Sequence, residues 1–313
     1  MNRAGGYFQS ITDLGKIGPS ILASSLLQTQ TTRRWFQPVS HTPSSAFSVG
    51  QPWEILGTKL PVSTNSKNTR LVDVYCKTGG VGQYLGAIAL SPQHGLGISF
   101  LVAGPGARAA FGTLQEMALG MWLPKAEEAA RVQAEVDFVG RYISTVSGAP
   151  TGGNSSSSSS SSSGNSSSSV VTISLLPDEP GLFLSSFVNE GVDILAAIAI
   201  TVFGSGGGGG DDPAARWGAW LYPTTSSSTT STDRNGKDKD KSQNRNRKRV
   251  AFRAIFGQTG RPGGDTCITW SAVDAIRYAG KPVDLFIFEL EEDGKAVAVE
   301  VPFLNKVFVR DLS

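Results

Sequence analysis

Histidine and cysteine are scarce, two of each in 313 residues, and that scarcity removes whole classes of chemistry. His41 and His94 stand apart from any Cys, Asp or Glu cluster at metal-ligand spacing, so no metal site is expected. Both are read as surface residues, with His94 in a hairpin turn. Cys76 and Cys267 form neither a C-x-x-C pair nor a disulfide framework. No apolar run reaches the roughly 18 residues of a membrane span, and the longest, Val192 to Phe203, has Asp193 near its start, as a strand pair or short core helix would. Met1 to Ser10 carry Arg3 but not the apolar stretch of a signal peptide. The formal charge is only +2, from 28 basic and 26 acidic residues, so neither nucleic acid nor a membrane surface is an expected partner. Gly-x-Ser-x-Gly, P-loop and dinucleotide glycine patterns are missing, and no cofactor is expected.

What is present describes a folded chain diluted by low complexity: 39% hydrophobic, 17% charged, 37 glycines. Ile11, Leu14, Ile17, Ile21 and Leu22 recur at helical spacing, with Ser10 or Thr12 as cap. Thr31 to Trp53, rich in proline, serine and threonine, reads as an ordered loop. Leu71–Lys77, Gln83–Leu90 and Gly97–Ala103 read as an antiparallel meander joined by Gly79-Gly80-Val81-Gly82 and Ser91-Pro92-Gln93-His94-Gly95. Thr113 to Glu135 returns to helical spacing, with Leu114, Met117, Ala118 and Met121 inward, Glu127, Glu128 and Arg131 outward, and Pro124 kinking or dividing it.

Beyond Tyr142, strand-like runs at Val170–Leu176, Leu182–Phe187, Val250–Phe256, Val283–Leu290 and Ala296–Pro302 predict an all-β sandwich or barrel. Residues 151–169, 204–210 and 224–249 interrupt it as low-complexity insertions, expected to be disordered because they carry too little apolar area to offset ordering entropy. The basic run ending Arg245-Asn-Arg247-Lys248-Arg249 is offset by Asp233, Asp238 and Asp240 and reads as a solvated loop. Asn154-Ser-Ser and Asn165-Ser-Ser are glycosylation sequons inside polyserine. The fold class expected is α+β, with residues 1–140 as a sheet flanked by helices and 141–313 as a β-rich domain.

The most informative stretch is Asp73-Val-Tyr-Cys-Lys77-Thr78-Gly79-Gly80-Val-Gly82-Gln-Tyr84, followed by two more strands and a long helix. In this context it resembles the Lys-Thr-Gly strand of the serine β-lactamase and penicillin-binding-protein superfamily, the class C and esterase branch in particular. The likeness extends to Ala4-Gly5-Gly6-Tyr7, Thr12-Asp13-Leu14, Trp35 to Pro38, Val49-Gly50-Gln51-Pro52-Trp53-Glu54-Ile55 and Gly104-Pro105-Gly106, which resemble fungal β-lactamase-related hydrolases. Cys267-Ile-Thr-Trp270, Val273-Asp274 and Asp284-Leu-Phe-Ile-Phe288 resemble their C-terminal domain.

The resemblance implies a role for each motif residue. Lys77 would set a cation beside a groove, Thr78 would offer a hydroxyl to an acyl substrate, and Gly79 would let that substrate approach the strand. Gly80 would lend a backbone N–H to an oxyanion hole. A plain edge strand ending in a glycine-rich hairpin is the structural alternative. The superfamily's nucleophile lies in Ser-x-x-Lys, yet no serine here has lysine three positions on. Ser63-Thr64-Asn65 and Ser66-Lys67-Asn68 match its Ser-x-Asn element only loosely. These readings imply the C-terminal part of an N-terminally truncated relative, without a catalytic residue of its own, inactive as written, whose partners would be a missing N-terminal half or a small acyl substrate. Members of the family look secreted. A second class of function stays open: a non-catalytic binding or structural protein whose β-domain uses Phe183, Phe187, Trp217, Trp220 and Tyr222.

Overall fold

A computed structural model describes residues 9–144, 169–204, 216–224, 247–259 and 267–312. The chain divides into two compact units, Met1–Arg131 and Val132–Ser313.

The first unit is an antiparallel sheet with helices on both faces. Its elements are α1 (Ile11–Leu22), α2 (Thr29–Trp35), β1 (Ser40–His41), β2 (Phe47–Val49), β3 (Glu54–Pro61), β4 (Thr69–Val81), β5 (Tyr84–Ser91), β6 (Leu96–Ala103) and α3 (Ala107–Phe138). The six strands pair in sequence order. Ser10 starts α1 through a capping box with Asp13, which satisfies two otherwise orphaned backbone N–H groups. Gly18 lets α1 lie close to the sheet, because a Cβ there would stand 3.2 Å from Leu90 Cδ2. Strand alternation sends Ile55, Tyr75, Ile88 and Leu90 to the α1 and α2 side, against Ile21, Trp35, Phe36 and Trp53. Val72, Val74, Cys76 and Ala89 go to the other side, against Leu119, Trp122 and Leu123 of α3. Gly104 and Gly106, at φ +106° and +81°, turn the chain from β6 into α3.

In the second unit the strands β7 (Gly140–Ser144), β8 (Ser169–Leu175), β9 (Leu182–Asn189), β10 (Val192–Asp193), β11 (Trp217–Pro223), β12 (Lys248–Gln258), β13 (Arg277–Tyr278), β14 (Lys281–Pro282), β15 (Leu285–Leu290), β16 (Ala296–Val301) and β17 (Lys306–Arg310) accompany α4 (Ile194–Phe203) and α5 (Cys267–Ser271). The pairing order β9-β11-β12-β15-β16-β17-β7-β8 closes on itself through β8 and β9, giving an eight-stranded antiparallel barrel. Closure leaves those strands no free edge. Its core is aromatic: Phe187 meets Phe286, Phe303 and Phe308, while Phe138 meets Phe252 and Phe288 at 5.2 Å each. Arg310 of β17 donates to the carbonyls of Val136, Asp137 and Val139, the orphan acceptors at the end of α3. Asp193 caps α4 by accepting from the Ala196 N–H.

Several expectations are corrected. The expected loop at Thr31–Trp53 contains part of α2 and both short strands β1 and β2, held because Trp35 and Phe36 pack on Trp53 at 5.1 and 5.5 Å. Of the expected connection Gly79-Gly80-Val81-Gly82, the first three residues are strand, paired with Gly86, Leu85 and Tyr84, and only Gly82 lies in the turn. Helix α3 begins at Ala107 and continues past Pro124. Leu114, Met117 and Met121 are exposed, whereas Leu123 and the Glu127 side chain turn inward. Of the two β architectures expected after Tyr142, the barrel is the one formed. Ser169, Lys248 and Arg249, assigned to insertions, are strand residues, and Gly204 ends α4 in the left-handed region. Thr224 and Arg247, at the two ends of the third insertion, are also described, Thr224 donating to the Ala251 carbonyl; the remainder of the insertions, both sequons, Arg245 and Ala4 to Tyr7 lie outside the described residues.

Candidate functional site

Lys77, Thr78, Gly79 and Gly80 sit on one stretch of β4 with an unusual edge. Strand β3 stops pairing where Glu54 meets Cys76. From Lys77 to Val81, β4 pairs with β5 alone among the described residues. Alternate backbone groups along that stretch therefore face away from the sheet. Gly79 leaves its side of the strand clear, with nothing among the described residues within 4 Å of where a Cβ would be. Gly80 is tighter: a Cβ would fall 2.4 Å from Leu85 Cδ2 and 3.2 Å from the Tyr84 carbonyl oxygen.

The residue that composition could not single out is Glu54. It shares a sheet face with Cys76 and Thr78, and its carboxylate accepts from Thr78 Oγ1 at 2.9–3.0 Å. Lys77 leaves β4 on the opposite face, but its long stem brings Nζ to 2.6 Å from Glu54 Oε1 and 2.9 Å from the Thr78 carbonyl oxygen. Both polar groups of the motif thus meet one carboxylate. The pair is partly open to solvent, with 44% of the Lys77 side chain and 30% of the Glu54 side chain exposed. Trp53 anchors this end of β3 in the aromatic cluster, although its buried Nε1 has no hydrogen-bond partner among the described residues. Cys76 faces inward as strand alternation requires, and burial, reinforced by Glu54, pushes its thiol up to about 12. The side chain of Cys267 lies outside the described residues.

The loosely matching Ser63-Thr64-Asn65 and Ser66-Lys67-Asn68 occupy the β3–β4 connection, at the opposite end of β4. The rise along the strand from Thr69 to Lys77 is roughly 26 Å, so they are not assembled with the motif. His41 is exposed and bonds Ser48 Oγ at 3.0 Å. His94 contradicts the surface reading: its side chain is 1% exposed. Its Nδ1 lies 2.8 Å from Ser91 Oγ and its Nε2 2.8 Å from Glu127 Oε2. Arg70 binds the same carboxylate through two nitrogens, at 2.7 and 2.6 Å. This serine–histidine–glutamate chain is a strut, because Ser91 is wholly buried and offers its hydroxyl to nothing outside. Among the described residues no group of three or more His, Cys, Asp or Glu gathers as a metal site, and no helix is long and apolar enough to cross a membrane.

In the barrel, Phe187 is core, Phe183 and Trp220 pair with ring centroids 5.5 Å apart, and Tyr222 packs on Trp270 at 5.0 Å. Trp217 opens β11 and is half-buried. Asp284, buried, accepts from Arg253 at 3.0 Å and from the Asp274 backbone N–H at 3.1 Å.

The chain aligns with a protein of Arthroderma benhamiae called "Beta-lactamase-like protein", 30% identical over 320 residues and covering 99% of this chain. It spans about half, 49%, of the length of that curated relative. No solved structure matches. Residues 130–311 match the family described as "Beta-lactamase-like-like, C-terminal domain". This match takes in every strand of the barrel, and the chain belongs to that family of β-lactamase-like C-terminal domains.

Proposed function

We propose that this chain is the portion of a β-lactamase-related serine hydrolase that presents the Lys77–Gly80 strand to an acyl substrate, and that it turns over no substrate by itself. The observation that carries the reading is the one-sided stretch of β4: an edge with outward backbone N–H groups, an open flank at Gly79, and a cation and hydroxyl beside it. Such an edge is suited to pairing with an extended acyl group and to stabilising charge on its carbonyl oxygen. Acyl transfer also needs a nucleophile and a base acting as a unit. No Ser-x-x-Lys occurs in this sequence, and the buried Ser91–His94 pair is closed to substrate.

The barrel fits a supporting role, its core being occupied by its own aromatic side chains. The test is hydrolysis of p-nitrophenyl acetate and of a chromogenic cephalosporin. The expected result is no turnover by the chain alone, and turnover when it is mixed with the part of the Arthroderma relative that it does not match. That gained activity is expected to fall by about a hundredfold or more in Lys77→Met. Turnover by the chain alone, or a gained activity indifferent to Lys77, would remove the proposal.

A further inference from the structure

The two donors with which the motif would hold an anion are already given to a carboxylate of the same chain. Lys77 Nζ lies 2.6 Å from Glu54 Oε1, and Thr78 Oγ1 lies within 3.0 Å of both Glu54 oxygens. The charges cancel, and the hydroxyl hydrogen is directed at Glu54. Glu54 is not displaced as a free anion would be, since its backbone is fixed opposite Cys76 and its neighbour Trp53 is buried in the aromatic cluster.

We propose that Glu54 sets the charge class of the group lying along Lys77-Thr78-Gly79: this edge takes a neutral or cationic group and turns away a carboxylate. The inference rests on the reading of that strand as a substrate edge and adds its selectivity. A carboxylate within hydrogen-bond reach of Lys77 would stand a few ångströms from the Glu54 carboxylate, well inside the distance over which salt screens charge. Repulsion would act at close range in a partly desolvated setting. A neutral amide meets no such penalty. An ammonium, amine or hydroxyl gains instead, because the partly exposed Glu54 oxygens retain lone pairs able to accept from it. As a structural tie alone the pair would contribute little, since side-chain ordering and solvent screening offset most of the attraction in a pair this exposed.

The experiment uses the whole chain, labelled with nitrogen-15, and follows the Lys77 ammonium and the Gly79 and Gly80 amides by NMR. The probes are acetylglycine, a carboxylate, and acetylglycinamide, its neutral counterpart, each titrated into wild type, Glu54→Gln and Glu54→Ala. In wild type the amide is expected to move these signals and the carboxylate to leave them in place. In both variants the preference reverses, with the carboxylate affinity rising about tenfold or more as the like charge is removed. Adding Lys77→Met to Glu54→Gln abolishes the gain. The proposal is overturned if wild type responds to acetylglycine as strongly as to its amide, or if folded Glu54 variants gain no carboxylate response, including the case in which neither probe is felt. The wild-type comparison decides even where a variant fails to fold. Carboxylate gain in Glu54→Gln with no turnover in the mixing test would leave charge selection standing and remove the hydrolase reading; the reverse pattern would do the opposite.

Discussion

The Nε2 atom of His94 lies 2.8 Å from Oε2 of Glu127, joining the β5–β6 turn to the middle of α3 through side chains that are almost wholly buried. Arg70 grips the same carboxylate in a two-pronged ion pair. One glutamate therefore ties β4, the turn after β5 and α3 together.

Removal of that tie is costly. Glu127→Ala leaves a buried imidazole and a guanidinium facing an apolar methyl, and is expected to destabilise the first unit by about 3 kcal/mol. Urea denaturation followed by tryptophan fluorescence measures it, since Trp122 of α3 lies beside the affected core. A loss below about 0.5 kcal/mol, the scale of an ordinary surface substitution, would show that the strut carries no weight.

The same group makes stability depend on acid. Burial would raise the Glu127 carboxyl, but hydrogen bonds from His94 and Arg70 overcome it and hold the group at about 2 instead of 4.5. A depressed folded value means that the stabilisation is fully present above about 4.5 and disappears as pH falls toward 2. Thermal melts between pH 6 and pH 2.5 should lose about 1–2 kcal/mol in that window through this group, solvent screening taking up part of the full linkage value. Glu127→Gln should flatten that part of the profile, and an unchanged slope would contradict the assignment.

Cys76 is buried, and its thiol is held far above its ordinary value. Thiolate is the reactive form, so native protein at pH 8 is expected to leave this cysteine unlabelled by iodoacetamide and unfolded protein to label it fully. Peptide mass mapping separates it from Cys267. Rapid native labelling of Cys76 would mean that the sheet opens.

Gly218 in the barrel faces Phe183, whose Cζ would stand 2.2 Å from an added Cβ, with the Leu184 carbonyl oxygen at 2.7 Å. The ring can turn aside, but the backbone oxygen cannot. Gly218→Ala is therefore expected to cost about 1–3 kcal/mol, as overpacking does. Equal melting temperatures for the two proteins would refute this.

The meander carrying the motif was legible because β4, β5 and β6 alternate cleanly and are joined by short turns, a pattern that local periodicity reports well. Helical spacing puts Glu127 outward, where a charged residue is normally solvated. Only Arg70 and His94, 57 and 33 residues away, bring it inside. Glu54 escaped notice for the same reason: its partners Lys77 and Thr78 are adjacent only once β3 and β4 pair. Strands β7 and β17 are short, and a few residues give periodicity little to report. What they share is closure of the barrel, a condition that no single segment carries.

Covalent capture shows where the nucleophile resides. A fluorophosphonate is incubated with the chain alone and with the chain plus the unmatched part of the Arthroderma relative, and the adduct is located by intact mass and peptide mapping. The chain is expected to stay unlabelled in both cases, with an adduct on the added part that forms faster when this chain is present and slower again with Lys77→Met. A stoichiometric adduct on a serine of this chain would mean that it carries its own nucleophile and is no mere substrate edge.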